Sequence, residues 1–300
     1  MPRASGESAR SDRGAQARRR WSGIERELRR TMGPLVAGMD EVGRGPLAGP
    51  VVACAVIMPP EERAIRGVDD SKRLTAAERV RLAVRIRERA VAVALGAASV
   101  REIDRYNIYH ATVRAMRRAL ARLPVAPDHL LVDGRAIRTL GVPHTAIIGG
   151  DAACYSIACA SIVAKITRDR LMRALAVRHP GYRWEHNVGY STRAHFAGIA
   201  AQGITPHHRR SFLPVRQMAL DLSSVAALPV DAPVDPPLDP AADAALLAAV
   251  LEDVLDAASV ASAGDERADG GDELPGPEDQ PDAWGGHAAD SRDEPPHLNH

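Results

Sequence analysis

Two neighbouring carboxylates, Asp40 and Glu41, end a short apolar run and are followed by an arginine between two glycines, Gly43-Arg44-Gly45. In a regular strand, neighbouring side chains point to opposite faces, so these carboxylates can share a metal ion only near a strand end. The two glycines permit a turn there and let backbone N–H groups approach a ligand closely. Taken alone, the pair also fits an ordinary acidic strand end before a glycine hairpin loop.

Two further carboxylates, Asp133 and Asp151, also stand beside glycine at the ends of apolar runs. Singly, Asp151 fits a helix N-cap and Asp133 fits a turn. Together with Asp40 and Glu41 they would form a group of four acids, which repel one another unless a cation neutralises them. Oxygen-only ligands suit Mg²⁺ or Mn²⁺, and together with the many basic residues around them the four acids predict phosphodiester hydrolysis assisted by two metal ions.

Apolar runs bounded by turn residues predict the strands that would position these acids. The first three strands should form a meander, and two later strands are each followed by a helix, which indicates an α/β domain with a mixed sheet. Thr75 with Glu78, and Ser99 with Glu102, are spaced as capping boxes at helix starts. The predicted strands cover residues 36–42, 51–58, 91–99, 130–133 and 145–148, and the predicted helices cover residues 75–90, 108–123, 152–179, 192–202 and 215–222.

Charge divides the chain into unequal parts. Residues 1–220 carry 37 Lys and Arg against 19 Asp and Glu, whereas residues 221–300 carry 2 against 19. A basic body indicates a polyanionic partner, most often nucleic acid. We expect residues 1–20 to be a disordered basic extension and residues 223–300 to be a disordered acidic tail rich in Pro and Ala.

Cys54, Cys154 and Cys159 all stand in apolar runs, and their odd number gives no disulfide framework. We interpret them as buried thiols of a reducing compartment. No stretch is apolar enough to span a membrane, and the N-terminus lacks the apolar segment of a secretory signal. We therefore expect a cytoplasmic protein without membrane association.

The stretch from Val36 to Pro50 resembles the signature of ribonuclease HII, and further motifs occur in the order of that family. These motifs are Asp70-Ser71-Lys72, Val132-Asp133-Gly134, Gly150-Asp151, residues 160–170, Gly189-Tyr190-Ser191-Thr192 with His195, and His208-Arg209-Arg210-Ser211-Phe212. The resemblance makes residues 21–222 the catalytic domain. It implies an RNase H-like fold with a five-stranded mixed sheet, flanking helices and a C-terminal helical part.

The resemblance also implies an activity. The expected enzyme is a monomer that cuts the RNA strand of RNA–DNA hybrids and cuts 5′ of ribonucleotides in duplex DNA, leaving 3′-hydroxyl and 5′-phosphate ends. Asp40, Glu41, Asp133 and Asp151 match the family's metal-binding acids. The Gly-Arg-Gly loop, residues 43–45, matches its sensor of the ribose 2′-hydroxyl, the group that distinguishes RNA from DNA.

Three more side chains are expected to contact substrate. Tyr190 matches the family's tyrosine that packs on the sugar next to the cut. Lys165 and Arg168 lie three residues apart on one predicted helical face and could hold a phosphate, although an ion pair with Asp169 or Glu185 is an alternative.

The sequence departs from the family pattern at Gly149 and Val188, where basic residues are common. Two other functions stay open, namely ribonuclease HIII-like specificity and a catalytically silent module that binds hybrids. The segment that begins at Gln217 and ends at Leu222 resembles short motifs that dock on bacterial sliding clamps, although the end of the last helix is the better explanation for it.

Overall fold

The computed structural model describes Trp21 and residues 23–225, which lie in one compact unit. The extensions predicted for residues 1–20 and beyond residue 225 lie outside the described part of the chain. A lead-in helix, α1, covers residues 23–32, and Trp21 is helical as well.

Five strands form one mixed sheet in the order β3-β2-β1-β4-β5, which confirms the predicted fold class. The first three strands are the predicted antiparallel meander, and β4 and β5 run parallel to β1. The strands are β1 Val36–Val42, β2 Val51–Ile57, β3 Ala92–Ala98, β4 His129–Asp133 and β5 Thr145–Ile147.

The register of the parallel strands sets where the acids lie. Met39 of β1 pairs with Val132 of β4, so Asp40 and Asp133 follow side by side at the carboxyl ends of these strands. Asp133 pairs with Ile147, the last residue of β5. Carboxyl ends of parallel strands meet at one sheet edge, which is where open α/β sheets bind ligands.

In the described part of the chain, seven more α-helices follow α1. They are α2 Ala76–Arg89, α3 Val100–Ala121, α4 Gly150–Ala153, α5 Tyr155–Arg178, α6 Trp184–Asn187, α7 Arg193–Gln202 and α8 Leu213–Val225. Both predicted capping boxes are present, because the Thr75 and Ser99 side chains each accept from the backbone N–H three residues on and each N3 glutamate reaches back. Among the described residues, no helix is long and apolar enough to cross a membrane.

One helix prediction was wrong in its bounds, and another helix proved to be the second part of a longer kinked one. The helix predicted over residues 152–179 is interrupted at Cys154, whose extended backbone (φ −122°, ψ 128°) separates α4 from α5. The helix predicted from residue 108 is the second part of α3, because Asn107, which has φ 66° and ψ 167°, separates it from the part that begins at Val100. The Asn107 side chain accepts from the backbone N–H of His110 at 3.1 Å, so it caps the second part of α3.

The sheet separates two apolar cores. On one face, α2 and the small-residue half of α5 pack over β1, β2 and β3, and on the other face α3 packs over the same strands. The three cysteines are buried free thiols, as predicted. A third core joins the end of α5 to α6 and α7, and it contains Ala48, Tyr182 and Trp184. This C-terminal helical part places residues 187–190 beside the loop that follows β1.

Candidate active site

Asp40 and Glu41 lie in the last part of β1, where both residues pair with β2 and the pairing with β4 has ended at Met39. Asp40 is buried, and its carboxylate accepts from the Glu41 backbone N–H at 2.7 Å and from the hydroxyl of Ser161 on α5. Ser161 lies 2.9 Å from the Ser71 hydroxyl, which can then donate to it. Glu41 is more accessible and accepts from the Arg44 guanidinium at 3.1 Å.

Asp133 and Asp151 meet at the ends of β4 and β5. The Asp133 carboxylate accepts from the Gly150 backbone N–H at 2.7 Å, which links the two turns. Gly149 before it is left-handed (φ 66°), a conformation that glycine adopts without strain. Asp151 lies in the first turn of α4 and is buried, and its Oδ2 faces Lys72 Nζ at 3.4 Å.

The pKa values of these acids depend on burial and on the charges of neighbouring acids. Burial raises the pKa of Asp40 well above its usual range, and the charges of Glu41 and Asp133 raise it further. Burial also raises the pKa of Glu41, against the opposing effect of Arg44. The pKa of Asp151 is raised by burial and then by the charge of Asp70, although Lys72 opposes both.

These shifts are what a cation would relieve. Buried carboxylates that repel one another favour a divalent ion, and the donors are all oxygen, which fits Mg²⁺ or Mn²⁺. Lys72 and Arg44 supply the neighbouring positive charge in this structure. In the described part of the chain, no three His, Cys, Asp or Glu side chains stand close enough to form a metal-binding group. The four acids therefore fit divalent ions by type and charge, and their side chains must draw closer to ligate one.

The Gly-Arg-Gly loop and Tyr190 lie next to each other. Leu47 and Ala48 both donate their backbone N–H to the Gly189 carbonyl, at 2.8 and 3.3 Å. Tyr190 is 43% exposed, and a Cβ added to Gly45 would lie 3.8 Å from its Cε1. A substrate sugar at this point would meet the loop backbone and the tyrosine ring together.

The two predicted phosphate ligands are not free for that role. Lys165 Nζ binds Asp169 Oδ1 at 2.9 Å, so the structure takes the ion-pair alternative. Arg168 is fully buried, and its guanidinium donates to the carbonyls of Ala48, Pro50 and Val188. This placement contradicts the prediction that Arg168 holds a phosphate, because no N–H group of its guanidinium reaches the surface.

A chain of hydrogen bonds through two imidazoles, those of His208 and His195, ends at the backbone carbonyl of Tyr190. The Thr205 backbone N–H donates to His208 Nδ1 at 2.9 Å, so the proton of neutral His208 is on Nε2. That nitrogen lies 3.1 Å from His195 Nε2 and donates to it, and Trp184 Nε1 donates to the same atom at 3.0 Å. His195 Nδ1 then donates to the Tyr190 carbonyl at 2.8 Å.

Several side chains of the site were given no role by the sequence analysis. Lys72, His195, His208 and Arg209 stand in motifs that were noted only for their order, and their contacts come from elements distant in sequence. Buried polar partners of this kind leave no periodic signal. Residues 217–222 lie within α8, and the clamp contact suggested for them stays a prediction.

Comparison with known proteins gives consistent results. The family model described as Ribonuclease HII matches residues 37–215. The protein named Ribonuclease HII from Gluconobacter oxydans is 55% identical over 190 residues, which cover 62% of this chain and 91% of that protein. The protein of the same name from Jannaschia sp. is 52% identical over 197 residues, covering 65% of this chain and 98% of the relative.

A solved structure supports the fold. The crystal structure of the ribonuclease H2 from Pyrococcus horikoshii OT3 superimposes with a TM-score of 0.53 at 24% identity, and the match covers 63% of this chain and 98% of that one. At this level of identity the match bears on the arrangement of strands and helices alone.

Proposed function

Because this chain belongs to the ribonuclease HII family and is an endoribonuclease that acts on RNA–DNA hybrids, we propose that it also cuts duplex DNA 5′ of an embedded ribonucleotide. The proposed reaction is two-metal phosphodiester hydrolysis that leaves 3′-hydroxyl and 5′-phosphate ends. One observation carries the proposal, namely that the carboxyl ends of β1, β4 and β5 bring Asp40, Asp133 and Asp151 to one sheet edge beside the Gly-Arg-Gly loop.

The four acids would hold Mn²⁺ or Mg²⁺. When bound, the ions supply activation of the attacking water and stabilisation of the leaving oxygen. The Ser71–Ser161 pair would orient the Asp40 carboxylate for this role, because the Ser161 hydroxyl donates to that carboxylate. Lys72 and Arg44 can turn away from their carboxylates to contact phosphate, since their side chains are 81% and 52% exposed.

Recognition of the ribonucleotide is assigned to the Gly-Arg-Gly loop and Tyr190. A 2′-hydroxyl both donates and accepts hydrogen bonds, so exposed backbone groups of a glycine loop can distinguish it from hydrogen. An aromatic ring beside that loop gives the neighbouring sugar an apolar surface. Together they favour cutting at the junction where a ribonucleotide is followed by DNA.

The decisive experiment uses a labelled DNA duplex that carries one ribonucleotide, incubated with Mn²⁺ or Mg²⁺. The wild-type protein should produce a single cut 5′ of the ribonucleotide. Asp40→Asn should lower the rate by about 10³-fold or more, since the variant loses a carboxylate at the centre of the acid group. Product ends are read by their ligation and by electrophoretic mobility.

Glu62→Gln is the matched control, because Glu62 is an exposed acid that pairs with Arg89 away from the sheet edge. This variant should keep the wild-type rate. Cleavage of long hybrids with no cut at a single ribonucleotide would overturn the proposed specificity and favour a ribonuclease HIII-like one. Binding of hybrids without any cleavage would instead favour the silent module.

A further inference from the structure

Two fully buried arginines lie beneath the Gly-Arg-Gly loop. Arg168 comes from α5 and Arg209 from the segment before α8, and both have 0% exposure. Their guanidiniums make seven hydrogen bonds, every one to a backbone carbonyl. The six carbonyls that accept these bonds belong to Gly43, Arg44, Ala48, Gly49, Pro50 and Val188.

These bonds fix the orientation of the peptide planes in the loop. Arg209 binds the Gly43 carbonyl and, at 2.9 Å, the Arg44 carbonyl. In a trans peptide the C=O and N–H groups point in opposite directions. The N–H groups of Arg44 and Gly45, which share those two planes, therefore point away from the buried guanidinium. Within residues 23–225, neither N–H has a protein acceptor, so both are open to a ligand.

Arg168 joins the second recognition segment to the first. Its three N–H-bearing nitrogens bond Pro50 and Ala48 on one side and Val188 on the other. Val188 is held at φ 43° and ψ 33°, a left-handed conformation that a β-branched residue rarely adopts. Strain of this kind persists only where surrounding contacts impose it. One of those contacts is the hydrogen bond from Arg168 to the Val188 carbonyl. Val188 stands two residues before Tyr190, so this bond helps to place the tyrosine.

The space at Gly43 admits no side chain, and the segment that carries Arg209 is held in place by hydrogen bonds. A Cβ on Gly43 would lie 2.1 Å from Arg168 Nε, so the glycine is needed for the arginine to pass beneath it. The segment that carries Arg209 is itself held, because the Asp104 carboxylate accepts from the backbone N–H groups of Arg210 and Ser211 and from the Ser211 hydroxyl. The loop therefore rests on a rigid base.

We propose that Arg168 and Arg209 are positioning residues that set the Arg44 and Gly45 N–H groups and Tyr190 for recognition of the ribose 2′-hydroxyl. This inference rests on the proposed function of the loop. The two arginines touch neither the reacting phosphate nor the four acids. They act by orienting the loop, so their loss should reduce discrimination between ribose and deoxyribose.

The test measures the ratio of two dissociation constants in Ca²⁺, for an all-DNA duplex and for the same duplex with one ribonucleotide. Both constants are taken by fluorescence anisotropy from one preparation, so an inactive fraction cancels from the ratio. Wild type should bind the ribonucleotide duplex about tenfold or more tightly. Arg209→Lys and Arg168→Lys keep the charge and lose the planar fork, and should bring the ratio close to one.

Arg118→Lys is the matched control. Arg118 on α3 is a partly buried arginine that donates to the Ala97 carbonyl and to Glu102, remote from the loop. Its substitution should lower the melting temperature and leave the binding ratio at the wild-type value. Loop variants that melt lower and keep that ratio would show a purely structural role and overturn the inference. A wild-type ratio of one would overturn it as well.

The two proposals fail separately. If wild type cuts 5′ of the ribonucleotide and the lysine variants keep the binding ratio, the positioning role is wrong and the proposed function stands. If wild type does not cut that substrate but binds it tenfold more tightly than DNA, the proposed function is wrong.

Discussion

Single atoms decide how closely the catalytic strand and its covering helix approach. Gly38 lies in β1, two residues before Asp40, directly under the start of α5. A Cβ added there would stand 2.2 Å from the Ser156 carbonyl carbon and 2.3 Å from the Ile157 nitrogen. Backbone atoms cannot turn aside as a flexible side chain can. The absence of a side chain at residue 38 therefore brings Ser161 of α5 within hydrogen-bond reach of Asp40.

We expect Gly38→Ala to destabilise the fold by about 2–4 kcal/mol, since overpacking against backbone forces strand and helix apart. The measurement is the free energy of unfolding from urea denaturation, together with the cleavage rate at a temperature where the variant stays folded. That rate should fall too, because the contact from Ser161 to Asp40 lengthens.

Gly23→Ala is the control for this prediction. No heavy atom lies within 4 Å of a Cβ at that position in α1, so its stability should stay equal or rise by up to about 1 kcal/mol. A Gly38→Ala variant as stable as wild type would contradict the close approach of α5 to β1.

At the scale of helices and turns, the position of the loop over residues 187–190 depends on elements that follow it in the sequence. The α7 N-cap Thr192 and the turn at Thr205 bring His195 and His208 together behind the Tyr190 carbonyl. Burial is the largest cause that lowers the pKa of His208 to about 3, and the charges of His195, His207 and His179 contribute to the same shift. Burial also lowers the pKa of His195. Both imidazoles are neutral in the folded protein, which their hydrogen-bond pattern requires.

We expect the contribution of His208 to folding stability to decline as pH falls below about 6.5, the pKa of histidine in an unfolded chain. Below that pH, His208 binds a proton in the unfolded chain but stays neutral in the folded protein. Its contribution to stability therefore continues to fall down towards pH 3. Between pH 6.5 and pH 5, His208 alone should account for about 2 kcal/mol at most. Unfolding free energies measured by urea denaturation across this range test the prediction.

His208→Asn supplies the comparison, because its side-chain oxygen can accept from Thr205 in place of Nδ1 and does not titrate. Its stability at pH 7.5 should be lower than that of wild type, and its decline between pH 6.5 and pH 5 should be shallower. Equal slopes for the two proteins would show that His208 is not a source of the pH dependence.

Across the whole chain, charge is distributed in two opposite parts. Residues 226–300 carry 2 basic and 18 acidic side chains, whereas residues 1–220 have a net charge of +18. A polyanion binds to a basic protein mainly through its phosphates, and the affinity falls steeply with salt. This distribution favours the hypothesis that the acidic residues compete with nucleic acid for the positive charges of residues 1–220.

We expect removal of residues 226–300, which leaves α8 intact, to tighten binding to plain DNA duplex at low salt by about tenfold. The effect should shrink as salt is raised, since ions screen both competitors. Anisotropy titrations over a series of salt concentrations measure it. A full-length variant with its 18 acids changed to Asn and Gln should behave as the truncated protein does, and unchanged affinity in both would exclude charge competition.

Much of this molecule is determined locally. The strands follow from short apolar runs between turn residues, and α2 and α3 begin where Thr75 and Ser99 form capping boxes. These signals need only neighbouring residues, so the sequence alone was sufficient to predict the mixed sheet. The position of acids at strand ends was predictable for a similar reason, because carboxylates beside glycine after an apolar run are visible in the sequence, while the role of the four acids as metal ligands stays a prediction.

Only the tertiary structure decided which charged side chains face solvent. Lys165 and Arg168 are three residues apart in the charged half of α5, yet Lys165 is paired with Asp169 and Arg168 is fully buried. The difference comes from Ala48 and Pro50, about 120 positions away, whose carbonyls replace water around the guanidinium. Burial depends on what packs against a surface from far along the chain, and no local pattern contains that information.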